Sequence, residues 1–154
     1  MSNMDNYNNN DNNNKKDDDN NRILLVDDEV DITMVYTMGL QDNGFKVDAF
    51  NDPLQALSDF KSGIYSLVLI DYKMPKMNGF ELYQEIRKVD TKVKVCFITA
   101  FDVYHEELKQ NSDTSSNARY QDKEGKEDSD VECFIQKPID IDELVKRIKE
   151  ELNS

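Results

Sequence analysis

Five polar side chains at the ends of short apolar runs have the chemistry of a combined phosphate and metal site. They are Asp27, Asp28, Asp71, Thr99 and Lys137. Carboxylates that lie close together repel one another, and a buried charge without a partner is costly, so the aspartates need a positive counter-charge. Mg²⁺ supplies one, because it prefers oxygen ligands and binds through one or two carboxylates together with phosphoryl oxygens. These residue types therefore predict a magnesium site that handles a phosphoryl group.

The same residues suit transfer of a phosphoryl group to an aspartate. The metal ion, the Lys137 ammonium and the Thr99 hydroxyl would share the negative charge on the equatorial oxygens of the group. The Asp71 carboxylate is then the nucleophile, and the product is an aspartyl phosphate. Taken alone, Asp27 and Asp28 are also explained as an N-cap and the acidic first turn of a helix. The interpretation as a phosphate and metal site therefore requires that all five residues lie close together in the fold.

Alternating apolar and amphipathic segments predict the elements that position these residues. Strands are predicted over 22–26, 46–50, 66–70, 93–98 and 132–135, and helices over 30–42, 53–61, 79–88, 103–111 and 141–152. Asp52-Pro53 and Asp140 are typical helix starts, and Asn43-Gly44 is a typical helix end. Apolar strands that alternate with helices indicate a doubly wound α/β fold with a parallel sheet covered on both faces. In such a sheet the ligand site lies beyond the carboxyl ends of the strands.

Several apolar side chains are assigned to packing rather than to chemistry. The inner face of the first helix is predicted to carry Val30, Met34, either Tyr36 or Thr37, and Leu40, and Met38, Met74 and Met77 are interpreted as packing residues. Tyr72 follows Asp71 and should point to the opposite face of its strand, so it is given no catalytic role. The only histidine, His105, is interpreted as a solvated helix residue. The presence of only one histidine in the sequence also argues against zinc hydrolase chemistry, which needs more nitrogen or sulfur ligands.

Composition excludes several classes of function. The chain has 154 residues with 32 Asp+Glu against 19 Lys+Arg, a formal net charge of −13. This excess of acid disfavours direct binding of nucleic acid or of an anionic membrane surface. No apolar run approaches the ~18 residues of a membrane span, and the N-terminus is unlike a signal peptide, so a cytoplasmic protein is expected. Cys96 and Cys133 show neither a disulfide framework nor metal-ligand spacing, and we expect reduced thiols in the core.

Two polar segments divide the chain. Residues 1–21 contain ten Asn and five Asp with a single aromatic side chain, which predicts a disordered tail. Residues 112–130 form a second polar segment, an insertion between the fourth predicted helix and the fifth strand. Residues 22–152, which include this insertion, are predicted to form one domain. The insertion either screens the neighbouring surface, makes a partner-specific contact or is simply tolerated, since loop closure entropy rises slowly with length.

Four motifs resemble the receiver domain of two-component response regulators. They are Leu-Leu-Val-Asp-Asp at 24–28, Leu-Val-Leu-Ile-Asp-Tyr-Lys-Met-Pro-Lys-Met-Asn-Gly at 67–79, Phe-Ile-Thr-Ala at 97–100 and Phe-Ile-Gln-Lys-Pro at 134–138. The resemblance covers 22–152 apart from the insertion. It implies a flavodoxin-like (βα)5 fold with strand order 2-1-3-4-5. It also implies that Asp71 accepts a phosphoryl group from the phosphohistidine of a histidine kinase or a phosphotransfer protein, assisted by Mg²⁺.

The resemblance also implies roles for single residues around the metal. Asp28 and Asp71 would bind Mg²⁺ directly, Asp27 would hold a metal-bound water, and the backbone carbonyl of Lys73 would add a ligand. Gly79 is carried over as a structural position in the loop after Asp71.

Further implied roles concern the phosphoryl group and the switch. Thr99, Ala100 and Lys137 would contact the phosphoryl group, and Pro138 is structural, with a Lys137-Pro138 bond that is often cis in the family. On phosphorylation the Thr99 hydroxyl would move inward and Phe134 would follow it. The surface that changes would comprise the fourth predicted helix, the fifth strand and the last helix. This surface would bind an unidentified downstream protein or a second copy of the chain.

The leading interpretation is a stand-alone receiver, a phosphorylatable switch rather than an enzyme, which assists its own phosphotransfer and dephosphorylation. Its bulky Phe101, near the expected path of the attacking water, predicts a long-lived phosphorylated state. The alternatives are the receiver portion of a larger protein, a binding-only pseudo-receiver and a haloacid-dehalogenase-like phosphatase. That phosphatase also uses an aspartate and Mg²⁺, but its nucleophile directly follows the first strand.

Overall fold

The computed structural model describes residues 21–100 and 133–154. The predicted helix over 103–111, the insertion 112–130, Phe101, His105 and all but the last residue of the predicted tail lie outside the described residues. The described strands are β1 (Arg22–Val26), β2 (Lys46–Phe50), β3 (Leu67–Asp71), β4 (Lys94–Ala100) and β5 (Cys133–Lys137). The described helices are α1 (Val30–Asp42), α2 (Pro53–Asp59), α3 (Gly79–Val89) and α4 (Ile141–Leu152).

The five strands form one parallel sheet in the order β2-β1-β3-β4-β5, which confirms the predicted doubly wound topology. β3 and β4 each begin and end one or two residues later than predicted, and β5 ends two residues later; its predicted first residue lies outside the described residues. The polar residues at these ends remain in the ladder, because Asp71 is opposite Ile98 and Ala100 is opposite Lys137. Sheet pairing satisfies the backbone whatever the side chain, so a polar residue does not end a strand.

Two hydrophobic clusters cover the two faces of the sheet. On one face, strand side chains such as Ile23, Leu69 and Ile98 pack against α1 and α4. On the other face, Val68 and Phe97 pack with residues of α2 and α3. Except for Arg22 at the start of β1, the side chains of β1 and β3 are buried on both faces, and every residue between Arg22 and Asp71 in these two strands is apolar. Among the described helices, none is both long and apolar enough to cross a bilayer.

Side-chain caps confirm most of the predicted helix boundaries. Asp52, Asn78 and Asp140 accept hydrogen bonds from backbone N–H groups in the first turns of α2, α3 and α4. Gly44 has a φ of 91° just after the end of α1, a conformation that favours glycine. α2 ends at Asp59, two residues before its predicted end, because Phe60 is in an extended conformation.

The predicted inner face of α1 is partly wrong. Leu40 is buried, but Val30 and Met34 are 55% and 58% exposed, and Met38 is 63% exposed. The buried residues of α1 are Thr33, Tyr36, Gly39 and Leu40, so the prediction is confirmed for Tyr36 and Leu40. The packing assignment is correct for Met74 and Met77, which pack on the α2 and α3 side.

The expectation of two reduced thiols is also wrong in the structure. Cys96 and Cys133 form a disulfide bond, and their Cα atoms are 4.6 Å apart. The two residues are separated by 37 positions in the sequence, but the β4–β5 register places them directly opposite each other. Spacing along the chain does not reveal a pairing that depends on strand register.

Candidate acidic site at the carboxyl edge of the sheet

Three aspartates meet where β1 and β3 end. Asp27 directly follows β1 and Asp71 is the last residue of β3, the strand that pairs with β1. Carboxylate oxygens of Asp27, Asp28 and Asp71 lie within 4.8 Å of one another. Asp27 is fully buried and Asp71 is 6% exposed. The predicted acidic cluster is therefore present, and most of its charge is shielded from water.

Lys137 brings a positive charge to this cluster from the edge strand β5. Its Nζ donates a hydrogen bond of 2.6 Å to Asp27 Oδ2 and lies 3.7 Å from Asp71 Oδ1. Burial alone would lower the pKa of the Lys137 ammonium. The hydrogen bond to Asp27 and the nearby carboxylate charges outweigh burial and raise that pKa. Lys137 therefore stays protonated and forms the fixed cation that the sequence predicted.

One ammonium does not balance three carboxylates, and Asp71 shows the consequence. Burial, followed by the charges of Asp27 and Asp28, raises the pKa of Asp71 to about 7, against the opposing effect of Lys137. The site therefore favours any ligand that adds positive charge. An all-oxygen set of hard donors with excess negative charge fits Mg²⁺ well.

The Thr99 hydroxyl is buried and has no hydrogen-bond partner among the described residues. Thr99 is 2% exposed, and Oγ1 of Thr99 and Oγ1 of Thr37 are the buried side-chain oxygens in the described ranges that lack a hydrogen-bond partner. Leaving a buried hydroxyl unpaired is costly. Thr99 follows Ile98, the residue opposite Asp71, and Ala100 is opposite Lys137. The hydroxyl is thus a donor at the same edge of the sheet, and no described residue accepts its hydrogen bond.

Gly79 allows the chain to fold closely against Asp71. Its N–H donates to the Tyr72 carbonyl at 2.7 Å. A Cβ atom at position 79 would lie only 2.5 Å from the Asp71 carbonyl oxygen, which is backbone and cannot move away easily. Lys73 lies in the same loop and its side chain is exposed. The Lys137-Pro138 peptide is cis, as the resemblance implied.

The sequence argument missed Asn51, which fixes the backbone beside the site. Asn51 Nδ2 donates to the Asp27 carbonyl at 2.8 Å and to Thr33 Oγ1 at 3.0 Å. Asp27 Oδ1 accepts from the Glu29 N–H at 2.9 Å, so Asp27 also orders the start of α1. The helix-start reading of Asp27 is therefore compatible with the site rather than an alternative to it. Asn51 directly follows β2, and the same strand-end argument could have found it.

Tyr36 is a second residue that the sequence argument assigned only to packing. It lines a groove of about 560 Å³ between α1 and the end of β5, together with Ala100, Lys137 and Pro138. Burial raises the pKa of the Tyr36 phenol, while the Lys137 charge lowers it and the charge of Asp27 raises it further. These interactions place the phenol in the electrostatic field of the site.

Phe134 is connected to the residue after Asp71 through aromatic contacts. It is 36% exposed and stacks on Phe97 with the ring centroids 5.5 Å apart. Phe97 in turn makes an edge contact of 6.0 Å with Tyr72 and one of 5.8 Å with Tyr83. Tyr72 points away from the acidic cluster and packs on the α2 and α3 side, as predicted.

Comparisons with known proteins agree with this geometry. The family described as the response regulator receiver domain matches residues 23–149. A "Transcriptional regulatory protein CpxR homolog" of Haemophilus influenzae is 43% identical over 75 residues, which cover 49% of this chain and 32% of that protein. A "Hybrid signal transduction histidine kinase B" of Dictyostelium discoideum is 30% identical over 129 residues, covering 83% of this chain and 6% of that protein. The chain thus spans less than a third of the length of either relative.

A solved structure shows the same fold. The crystal structure of a CheY-like response regulator receiver domain protein from Methanospirillum hungatei superposes with a TM-score of 0.64 at 24% identity. The superposition covers 86% of this chain and 93% of that one. The family match begins in β1, ends within α4 and includes every strand end that contributes to the acidic site. The chain therefore belongs to the response regulator receiver domain family.

Proposed function

We propose that the domain over 22–152 accepts a phosphoryl group onto Asp71 from the phosphohistidine of a histidine kinase or phosphotransfer protein. The supporting observation is the setting of the Asp71 carboxylate. Its Oδ1 lies 3.7 Å from the Lys137 ammonium, and two more carboxylates lie within 4.8 Å. One Asp71 oxygen forms the new bond to phosphorus as the bond to the donor imidazole breaks.

Mg²⁺ is the cofactor that this proposal requires. The side chains of Asp28 and Asp71 would hold it directly, Asp27 would hold one of its waters, and the Lys73 carbonyl would add a ligand. When bound, the ion neutralises charge on the phosphoryl oxygens. The raised pKa of Asp71 supports this assignment, because it reports a cluster with too little positive charge.

Lys137, Thr99 and Ala100 are proposed to receive the phosphoryl group. The Lys137 ammonium already lies between two carboxylates and can pair with a phosphoryl oxygen without leaving the site. The Thr99 hydroxyl would gain the hydrogen-bond partner that it lacks among the described residues. Ala100 would contribute backbone contacts beside Lys137. These donors stabilise the charge of the transferred group.

The output of the domain is proposed to follow from Thr99 and Phe134. Inward movement of the Thr99 hydroxyl toward the phosphoryl group would shift β4 against β5, and Phe134 lies on β5 with its ring stacked on β4. The exposed surface around β5 and α4 would then bind a downstream protein or a second copy of the chain. Like other receivers the protein acts as a signalling switch, and we propose that it also assists its own dephosphorylation.

Phosphorylation by a small donor tests the proposal directly. The full chain is incubated with acetyl phosphate and Mg²⁺, and its intact mass is measured. We expect one phosphoryl group per chain, none in Asp71→Asn, and normal phosphorylation in the control Asp59→Asn, which removes an exposed carboxylate in α2. Continuous release of phosphate would instead indicate a phosphatase. No adduct on the wild type would indicate a binding-only domain.

A further inference from the structure

A disulfide bond joins the two strands that carry the proposed switch residues. Cys96 lies in β4 three residues before Thr99, and Cys133 is the first residue of β5, directly before Phe134. The next pair in the β4–β5 register is Phe97 opposite Phe134. The sulfur bridge and the stacked rings therefore hold neighbouring positions of the same strand pair.

The two links lie on opposite faces of the sheet. Cys96 and Cys133 belong to the cluster under α1 and α4, whereas Phe97 belongs to the cluster on the α2 and α3 side. Among the described strands, β5 is last in the sheet order and pairs only with β4. An edge strand with one neighbour can shift more easily than a central strand, and a covalent bond at its first residue restricts that shift.

We propose that Cys96 and Cys133 form a reversible dithiol–disulfide site that limits how far β5 responds to phosphorylation of Asp71. The thiol chemistry stands by itself, and the effect on the response rests on the proposed function. In reducing compartments, the disulfides that do form in proteins are commonly redox-sensing or catalytic rather than structural. The position of this bond gives such a site a direct mechanical effect on Phe134.

The oxidant is a small disulfide such as glutathione disulfide. The Cys133 thiolate attacks one sulfur of glutathione disulfide, forming a mixed disulfide and releasing one glutathione thiolate. The Cys96 thiolate then attacks the Cys133 sulfur and releases the second glutathione. Two protein thiols are oxidised, one glutathione disulfide is reduced to two glutathione molecules, and these take up the two thiol protons. Excess reduced glutathione reverses both steps.

Access to the sulfur atoms depends on the edge strand. Cys96 is 0% and Cys133 2% exposed, so the exchange requires local opening at the first residues of β5. A carboxylate oxygen of Glu151 in α4 lies within 4.8 Å of both sulfur atoms.

The first measurement counts thiols in the full-length wild type. The protein is equilibrated with reduced glutathione or with glutathione disulfide, quenched in acid, unfolded and alkylated, and its intact mass is measured. We expect two alkylated thiols in the first buffer and none in the second, with no attached glutathione and no dimer. Cys133→Ser should retain a thiol or carry one glutathione. Thiols that persist in oxidant, a bond that resists reduction in the folded protein, or only mixed products would overturn the proposal.

The second measurement compares the response of the two redox forms. Hydrogen exchange of the β5 amides is followed in each form before and after phosphorylation with acetyl phosphate and Mg²⁺. We expect phosphorylation to change the exchange rates at least about fivefold more in the dithiol form than in the disulfide form. The Cys96→Ala/Cys133→Ala variant should respond like the dithiol form in both buffers.

The comparison of the two redox forms uses only the wild-type protein, so its result does not depend on whether a cysteine variant folds. Equal responses in the two redox forms, with Asp71 phosphorylated in both, would overturn the redox inference and leave the proposed function intact. Failure of both forms to become phosphorylated would overturn the proposed function, and the proposed effect on the response with it, while the thiol count would still stand.

Discussion

The acidic site is a local charge imbalance that the rest of the chain holds in place. Three carboxylates lie together with a single ammonium beside two of them, and Asp27 and Asp71 are nearly inaccessible to water. The fold does not relieve this repulsion by itself, and the pKa of Asp71 rises to about 7 as a result. A buried charge imbalance of this kind is a common feature of functional sites.

Metal affinity should therefore depend on pH near neutrality. With Asp71 as a proposed ligand, Mg²⁺ binding would need its ionised carboxylate, which is increasingly protonated below pH 7. We expect the Mg²⁺ dissociation constant, measured by calorimetry, to fall up to about tenfold per pH unit as pH rises toward 7 and to level off above it. Asp71→Asn should bind Mg²⁺ more weakly and with little dependence on pH between 6 and 8. A pH-independent wild type would contradict the assignment of Asp71 as a ligand.

A substitution at Gly79 tests whether the close packing of the loop against Asp71 matters for the site. A methyl group at position 79 would push against the Asp71 carbonyl, so Gly79→Ala should destabilise the protein by about 1–3 kcal/mol in urea unfolding. It should also slow phosphorylation by acetyl phosphate. Gly44→Ala is the matched control, because its Cβ would meet nothing within 4 Å and only its φ of 91° is unfavourable. A loss of stability is expected there without slower phosphorylation, and equal phosphorylation rates in both variants would contradict this account.

At the scale of the residue, the sequence identified the charged groups but not their supports. Asp27, Asp28, Asp71 and Lys137 were predictable because charged residues at the ends of apolar strands are rarely accidental. The position of Asn51 at the end of β2 could have been noticed, but its hydrogen bond to the Asp27 carbonyl could not, since it depends on how the loops after β1 and β2 approach each other. Such contacts have no periodic signal in the sequence.

At the scale of the element, the periodicity of apolar residues predicted which of the described segments are strands and helices, but it did not predict every buried face. α1 carries apolar residues on more than one side, and the structure buries Tyr36 while exposing Met34. The close approach of α1 to α4 contributes to this choice, because Gly39 lies directly against the Ile141 side chain. The cysteine bridge was invisible for a similar reason, since it depends on the register of β4 and β5.

The aromatic contacts between strands predict a specific role for Phe97. Phe97→Leu removes the ring that connects Tyr72 to Phe134, and we expect a loss of about 1–2 kcal/mol in unfolding free energy. We also expect a smaller phosphorylation-induced change in hydrogen exchange at Phe134. Val95→Ala shortens a buried side chain on the same face of β4 and is the control. It should lose similar stability and keep the full response. A full response in Phe97→Leu would show that the aromatic contacts do not transmit the signal.

At the scale of the whole molecule, topology brings distant parts of the sequence into one site. The strand order places Asp27, Asp71 and Lys137 at a single edge, although Asp27 and Lys137 are 110 residues apart. This arrangement was predictable because parallel strands joined by helices all end at the same edge of the sheet. The ion pair between Asp27 and Lys137 was not predictable, since it depends on where each side chain lies within that edge.

The Asp27–Lys137 ion pair should therefore contribute strongly to the stability of the whole domain. Removing one partner of a buried pair leaves an unpaired charge, so Lys137→Met should lower the free energy of unfolding by about 3–5 kcal/mol without metal. Lys88→Met breaks the exposed pair with Glu85 and should cost less than about 1 kcal/mol.

Because Mg²⁺ would restore positive charge to the carboxylates, saturating Mg²⁺ should recover part of the stability lost in Lys137→Met. It should change the stability of Lys88→Met no more than that of the wild type. Urea unfolding at pH 7.5 with and without Mg²⁺ measures both effects. Equal losses in the two variants would mean that the pair contributes no more than a surface contact, and the electrostatic account of the site would then be wrong.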